Sequence, residues 1–313
     1  MTAPIRLALI GMGKIARDQH LPAIAGVSSF DLVATVSRHG GPEGDLPFFP
    51  DIDALIDSGV GIDAVALCTP PQVRRAIAAR AIEQGWHVFL EKPPGATLAE
   101  VIALRDQAAA REVSLFASWH SRYAQGVEPA RAWLADRAVR RATITWREDV
   151  RHWHPGQDWI FEAGGFGVFD PGINALSIAT RILPHPMFVD TAEIDLPANR
   201  AAPIAARVGF LDATGAPIAM DLDFRQEGPQ SWDIVVETDA GTLTLARGGA
   251  ELSIDGGTAA DPGGELHGEY PGLYRRFAAI VRAGVSDVDV GPLRLVADTF
   301  LRARINTVAA FEW

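Results

Sequence analysis

The segment Leu7-Ala8-Leu9-Ile10 runs directly into Gly11-Met12-Gly13-Lys14-Ile15-Ala16, an apolar strand entering a Gly-x-Gly-x-x-Ala turn. Such a turn at the start of a strand–helix unit constrains the chain more than any other feature. Gly11 permits the tight turn, Gly13 lets the backbone approach a pyrophosphate, and Ala16 allows close helix–strand packing. The pyrophosphate is then expected at the following helix N-terminus, where amide donors and the helix dipole favour anions. Residues 11–15 are therefore the first candidates for binding a dinucleotide.

The pattern that follows supports a doubly wound parallel sheet. A helical stretch runs to about Gly26, and Asp31–Val36 reads as a second strand. Asp51–Ser58 reads as a short helix and Asp63–Cys68 as a third strand. Thr69-Pro70-Pro71 opens a helix through Gln84, ended by Gly85. His87–Leu90 is the next strand, Thr97-x-x-Glu100 caps a helix through Ala110, and Val113–Ser118 is one more strand.

Two strand ends carry chemistry. The second strand ends at Val36-Ser37-Arg38, where an NAD-selective enzyme usually carries an acid for the ribose 2′-hydroxyl. Ser37 can hydrogen-bond, and Arg38 can pair with a 2′-phosphate or stack on adenine, which favours NADP and leaves NAD as the secondary cofactor. His87–Leu90 runs into Glu91-Lys92-Pro93. Pro93 keeps Lys92 out of helical geometry, so Lys92 belongs to the strand end, where ligands of open α/β sheets bind. The Pro93-Pro94 pair favours a cis peptide at this point. A lysine beside a nicotinamide can polarise a hydroxyl and stabilise developing oxyanion charge. The combination reads as a hydride-transfer enzyme, with Thr69, Pro70, Glu91 and Lys92 joining residues 11–15, Ser37 and Arg38 around the cofactor.

After residue 122 the pattern changes. Arg140–Val150 alternates like a half-exposed strand, and strands are expected around 190–196, 204–211, 218–224, 232–238 and 242–246. Hairpin-joined strands imply an antiparallel sheet. Tyr270–Ala283 and Pro292–Ala310 read as amphipathic helices that can pack back on the first domain. The expected organisation is a Rossmann domain over residues 1–122 and a substrate-binding α+β domain over 123–313.

The 313 residues and 48% hydrophobic content suffice for two cores. The net charge is −11 with a pI near 5.2, and Arg74-Arg75, Arg140-Arg141 and Arg275-Arg276 sit on separate elements. No basic stripe for nucleic acid is expected. No apolar run is long enough to span a membrane, and no signal peptide is visible. One cysteine, Cys68, inside an apolar strand fits a reducing cytoplasm.

The stretch 147–174 is dense in polar and aromatic side chains, among them Glu148, His152, Trp153, His154 and Trp159, leading to Asp170-Pro171-Gly172-Ile173-Asn174. Rings that stack on sugar faces beside carboxylates and amides that take hydroxyls suit a neutral sugar. Asp170 and Asn174 fall on one helical face. Pro171 suits the first helical position, which would make Asp170 the N-cap. His152 and His154 lack a convincing third ligand, so no metal is expected. His120 and Trp232, at or after strand ends, are further candidates to line the site.

The Gly11–Ala16 loop, Thr69-Pro70-Pro71, Glu91-Lys92-Pro93 and the glycine-rich approach to Asp170 resemble the glucose–fructose oxidoreductase/inositol dehydrogenase/MocA family over essentially the whole chain. Residues 13–24, 91–98, 153–157 and 169–178 are similar to its bacterial aldose 1-dehydrogenase branch, which oxidises L-arabinose or D-galactose to the lactone with NAD(P). The resemblance implies a large, open, mostly antiparallel C-terminal sheet whose face serves homo-oligomer contacts, and a Lys92 that contacts sugar and nicotinamide. The wider family carries Asp-x-x-x-His where this chain has Asp170 and Asn174. An amide cannot exchange a proton near neutral pH, which leaves Asp170 as the expected base. Lys92, Asp170 and Asn174 are thus the expected catalytic set, with Glu148, His154, Trp153, His120 and Trp232 positioning the sugar. Rival readings are an imine, enamine or other carbonyl reductase on the same scaffold, and a non-catalytic NADP-binding sensor.

Overall fold

The computed structural model describes residues 3–38, 40–41, 45–260 and 268–313. The chain divides into two compact units, residues 1–120 with 270–290, and residues 121–269 with 291–313.

The first unit is built on a six-stranded parallel sheet of β1 (Ile5–Ile10), β2 (Phe30–Val36), β3 (Phe48–Phe49), β4 (Ala64–Leu67), β5 (His87–Leu90) and β6 (Leu115–Ala117). Its order is β3-β2-β1-β4-β5-β6, so the winding reverses between β1 and β4. That switch point is where doubly wound sheets bind ligands at their carboxyl ends. The strands read as apolar runs because both faces are covered; every residue of β4 is buried. Helices α1 (Leu21–Ala25), α2 (Ile52–Asp57), α3 (Pro71–Glu83) and α4 (Leu98–Ala110) complete the layers. Asp51 caps α2 at 2.8 Å through Ala54 N, and Thr97 with Glu100 forms the expected capping box on α4. Between the glycine turn and α1 the chain makes a wide π turn, Ala16–His20, rather than a plain α-helix. Pro22 has no N–H to continue the ladder, and Leu21 N–H bonds back five residues to Ala16 O.

The second unit carries α5 (Val127–Leu134), β7 (Val139–Arg147), α6 (Val150–Trp153), α7 (Phe169–Ile182), β8 (Met187–Pro197), β9 (Ala205–Asp212), β10 (Pro217–Asp223), β11 (Ser231–Thr238), β12 (Gly241–Ala246), β13 (Glu251–Ile254) and β14 (Gly257–Ala260). Alternating burial along β9 and β10 leaves one face covered and one exposed. The nearly all-buried α7 approaches so closely that a Cβ on Gly172 would lie 2.5 Å from Leu222 on β10.

The chain then returns to the first unit. Helix α8 (Glu269–Ala283) contributes Tyr270, Tyr274 and Phe277 to a ring cluster with His20, Phe30, Phe89 and Phe116. Beyond it, Asp287 bonds in both directions to β6, through Leu115 O and Ala117 N at 2.9 Å. Residues 270–290 thus belong to the first unit, whose earlier stretch ends at His120. Helix α9 (Gly291–Arg302) stays with the second unit. The expected helix through Ala310 stops at Arg302, because Ile305, Thr307 and Val308 suit an extended edge. They form β15 (Arg304–Val308), parallel to β8. The nine-stranded sheet runs β14-β13-β12-β11-β7-β10-β9-β8-β15, and among the described residues β7–β10 and β8–β15 are its parallel pairs. No helix among the described residues is long and apolar enough to cross a membrane.

Candidate functional site

Gly11 is required twice over. Its φ of +97° favours glycine, and a Cβ there would lie 2.9 Å from Cys68 C and Thr69 N at the end of β4. A Cβ on Gly13 would meet nothing within 4 Å, so bare backbone faces open space at the start of the helical turn. Ala16 is fully buried under that turn. Met12 is buried with its carbonyl held by Arg17, Lys14 is exposed and paired with Asp18, and Ile15 is half-buried. Across the switch point, Thr69 Oγ1 is buried without a hydrogen-bond partner among the described residues, and Pro70 precedes the first turn of α3. An orphaned hydroxyl beside an open glycine cradle fits a dinucleotide that brings its own donors and acceptors. Ser37 is half-buried and anchored through its N–H to Phe49 O at 3.0 Å, while Arg38 is exposed at the end of β2.

Next along the sheet, Glu91 N–H continues the ladder to Leu67 O at 3.2 Å, and the Lys92–Pro93 bond is cis. The Lys92 side chain is half-buried. Glu91 is 3% exposed, and its carboxylate takes Tyr270 OH at 2.7 Å, His20 Nε2 at 3.4 Å and the Lys92 N–H. His20 Nδ1 bonds Tyr274 OH at 2.7 Å, and His120 stacks on Tyr270. Burial works against the charged form of Glu91. The His20 hydrogen bond and the charges of His20, His120 and Lys92 outweigh it and hold the carboxyl at about 2.

Arg74, half of a scattered Arg-Arg pair in the sequence, belongs to the site although its local pattern does not mark it. It is 2% exposed and donates to the backbone carbonyls of Thr69, Glu91 and Pro93. Its spacing is the available signal. Pro71, Arg74, Ala78 and Ala81 form the buried stripe of α3, so Arg74 occupies a core-facing position.

In the second unit, four expected sugar-binding residues meet in one cluster. Glu148 follows β7 and is held by its N–H to Asp223 O at 3.0 Å. It is 2% exposed, accepts Trp232 Nε1–H at 2.8 Å on one oxygen, and has His154 Nε2 3.1 Å from the other. Trp232 on β11 lies opposite Trp146 on β7 and stacks on it, and Trp153 tilts against Trp232 with centroids 4.8 Å apart. Asp149 caps α6 and so fixes the turn that delivers Trp153 and His154. The cluster offers indole surface beside a buried carboxylate and an imidazole, the groups a polyhydroxylated ring can stack on and hydrogen-bond to.

Asp170 and Asn174 stand one turn apart on α7, Asp170 buried and Asn174 half-buried. Asp170 is not the N-cap. That position is Val168, whose N–H is taken by Pro203 O at 2.8 Å, and Asp170 lies within the first turn. The glycines before it are packing devices. A Cβ on Gly165 would lie 2.3 Å from Trp159 O, and one on Gly167 2.2 Å from Pro203 O. Among the described residues no cluster of three His, Cys, Asp or Glu could hold a metal.

Residues 5–118 match the model of the oxidoreductase family with an NAD-binding Rossmann fold, GFO/IDH/MocA. The chain is 45% identical to galactose 1-dehydrogenase of Pseudomonas fluorescens over 98% of its length and 99% of the relative's. It superposes on the crystal structure of D-galactose-1-dehydrogenase from Rhizobium etli with a TM-score of 0.94 and 56% identity, covering 100% of this chain and 99% of that one. KijD10, a 3-ketoreductase from Actinomadura kijaniata, shares the fold at a TM-score of 0.80 and 18% identity, over 97% and 99% of the two chains. The switch-point glycines, the lysine-bearing strand end, the mostly antiparallel second sheet and the full-length likeness agree, and the chain belongs to the GFO/IDH/MocA family of NAD-binding oxidoreductases.

Proposed function

We propose that this chain is an aldose 1-dehydrogenase, oxidising the anomeric carbon of a neutral sugar to the aldonolactone with NADP preferred over NAD. The likeness to galactose 1-dehydrogenases over the whole chain carries this reading. The cluster of Glu148, His154, Trp153 and Trp232 supports it, since it offers stacking surface and hydroxyl partners. Among the described residues Glu148 is met by the Trp232 indole N–H and the His154 imidazole rather than by arginine or lysine, which favours an uncharged sugar over a phosphorylated or acidic one.

The nicotinamide, when bound, supplies the hydride acceptor. The chain's own residues do the rest. The Lys92 ammonium stabilises charge developing on the anomeric oxygen. The Asp170 carboxylate accepts the anomeric hydroxyl proton, directly or through water, and Asn174 on the same helical face orients it. Loss of that proton and of the anomeric hydride leaves the lactone carbonyl. His120 joins the residues that position the sugar. We place the enzyme in the cytoplasm, where reduced Cys68 and the nicotinamide pool belong. We assign a second copy to the exposed sheet face, where Phe188 on β8, 58% exposed, pairs with exposed Leu211 on β9.

The test is a rate panel of aldoses with NAD and NADP, with the lactone identified as product. D-galactose, L-arabinose and D-fucose share ring stereochemistry and should all react, with D-glucose slower. A hydrogen bond made to the axial hydroxyl is left unpaired by the glucose epimer. D-glucose or D-xylose surpassing all three would overturn the substrate assignment. No lactone from any aldose would overturn the reaction and return the reductase and sensor readings.

A further inference from the structure

We infer that Arg74 is a positioning residue for Lys92. This rests on the reading of Lys92 as the residue that stabilises anomeric oxyanion charge. One terminal nitrogen of the Arg74 guanidinium donates to the carbonyls of Glu91 and Pro93, the residues on either side of Lys92. The other terminal nitrogen donates to Thr69 O, at the end of β4. The neighbouring ends of β4 and β5 are thus tied by one planar group. From the opposite side the Glu91 carboxylate takes the Lys92 N–H. The backbone around Lys92 is held on both flanks, while its side chain carries the chemistry.

The buried stripe of α3 is apolar at Pro71, Ala78 and Ala81, where a guanidinium is tolerated only if fixed dipoles satisfy it. Three carbonyls do so here, in a geometry that a planar fork can reach and an ammonium cannot. A group that only filled space would be better replaced by methionine. A group that fixes carbonyl positions sets where Lys92 starts, and a shift of about 1 Å at a reacting group can cost about 10²-fold in rate.

The experiment compares wild type with Arg74→Lys and Arg74→Met. It measures kcat per mole of bound NADP, the sugar KM, the primary isotope effect with 1-deuterated D-galactose, and amide exchange over residues 91–96. We expect kcat to fall about 10-fold in Arg74→Lys and about 10²-fold in Arg74→Met. The sugar KM should stay within about 3-fold, because the Glu148 cluster is untouched. The isotope effect should rise as hydride transfer becomes limiting, and exchange at Lys92 N–H should quicken. Should Arg74→Met fail to fold, Arg74→Lys decides. A kcat per bound NADP within about 2-fold of wild type, with unchanged isotope effect and unchanged exchange, overturns the inference. If wild type turns over no aldose, the proposed function fails on its own, and amide exchange at Lys92 in Arg74→Lys still decides whether Arg74 holds that segment.

Discussion

Tyr270 gives its hydroxyl to Glu91 at 2.7 Å across 179 positions of the chain. The bond closes a buried set in which Glu91 also takes His20 and the N–H of Lys92, while His20 holds Tyr274. The candidate reactive lysine therefore stands on a carboxylate that the last part of the first unit completes.

The ionisation of Glu91 links this set to pH. The carboxyl moves from 4.5 to about 2 on folding. A lowered folded value means its stabilisation is complete above 4.5 and is lost as pH falls from 4.5 towards 2. Glu91→Gln should melt below wild type at neutral pH, and the gap should close between pH 4.5 and 2. Thermal unfolding of both proteins across that range checks it, and a gap independent of pH refutes the assignment.

Asp170→Asn separates chemistry from helix stability. Asp170 is not the cap of α7, so an amide there leaves the helix cap intact and keeps the size and one acceptor oxygen of the side chain. Turnover should fall by about 10² or more if Asp170 takes the proton. Urea unfolding and kcat on the same preparation give the comparison. Near-normal kcat would remove Asp170 from the mechanism.

Cofactor choice should lie with Ser37 and Arg38. Losing a charge-assisted contact to a 2′-phosphate costs about 1.5–3 kcal/mol, roughly 10- to 150-fold. Arg38→Ala should lower kcat/KM for NADP by that factor and spare NAD. Ser37→Asp with Arg38→Ala should reverse the preference. Equal losses with both cofactors would show that Arg38 does not read the phosphate.

The Glu148 cluster should govern sugar affinity. Trp232→Phe keeps a ring but deprives buried Glu148 of its 2.8 Å donor. The orphaned acceptor should cost about 1–3 kcal/mol of stability. The sugar KM should rise, while NADP affinity, measured by titration, should not change. An unchanged sugar KM would remove this cluster from substrate binding.

Local pattern made much of this legible. The glycine turn, the buried parallel strands and the alternating strands of the second sheet each announce themselves within ten residues. So does the lysine at the end of β5. What stayed hidden depends on partners distant in sequence. Arg74 looks like a surface basic residue until Thr69, Glu91 and Pro93 supply its carbonyls. Pro171 suggested that α7 starts after Asp170, but Pro203 O takes the Val168 N–H and starts the helix earlier. Residues 304–308 continued a helical pattern by composition, and the free edge of β8 made them a strand. Glu148, Trp153 and His154 stand together in one stretch of sequence and Trp232 far from it; the pairing of β7 with β11 is what brings Trp232 to them.

The detour of the chain through the second unit before α8 has a cost in time. A ribosome adding about 5–20 residues per second needs roughly 9–36 s to pass from Glu91 to Tyr270, given their separation of 179 positions. For that interval the nascent sheet has Phe89 and Phe116 without the Tyr274 and Phe277 rings that later stack on them, and Glu91 without its tyrosine. The nucleotide-binding half is synthesised first and finished nearly last. Its period of exposure to misassembly is set by the length of the domain inserted into it.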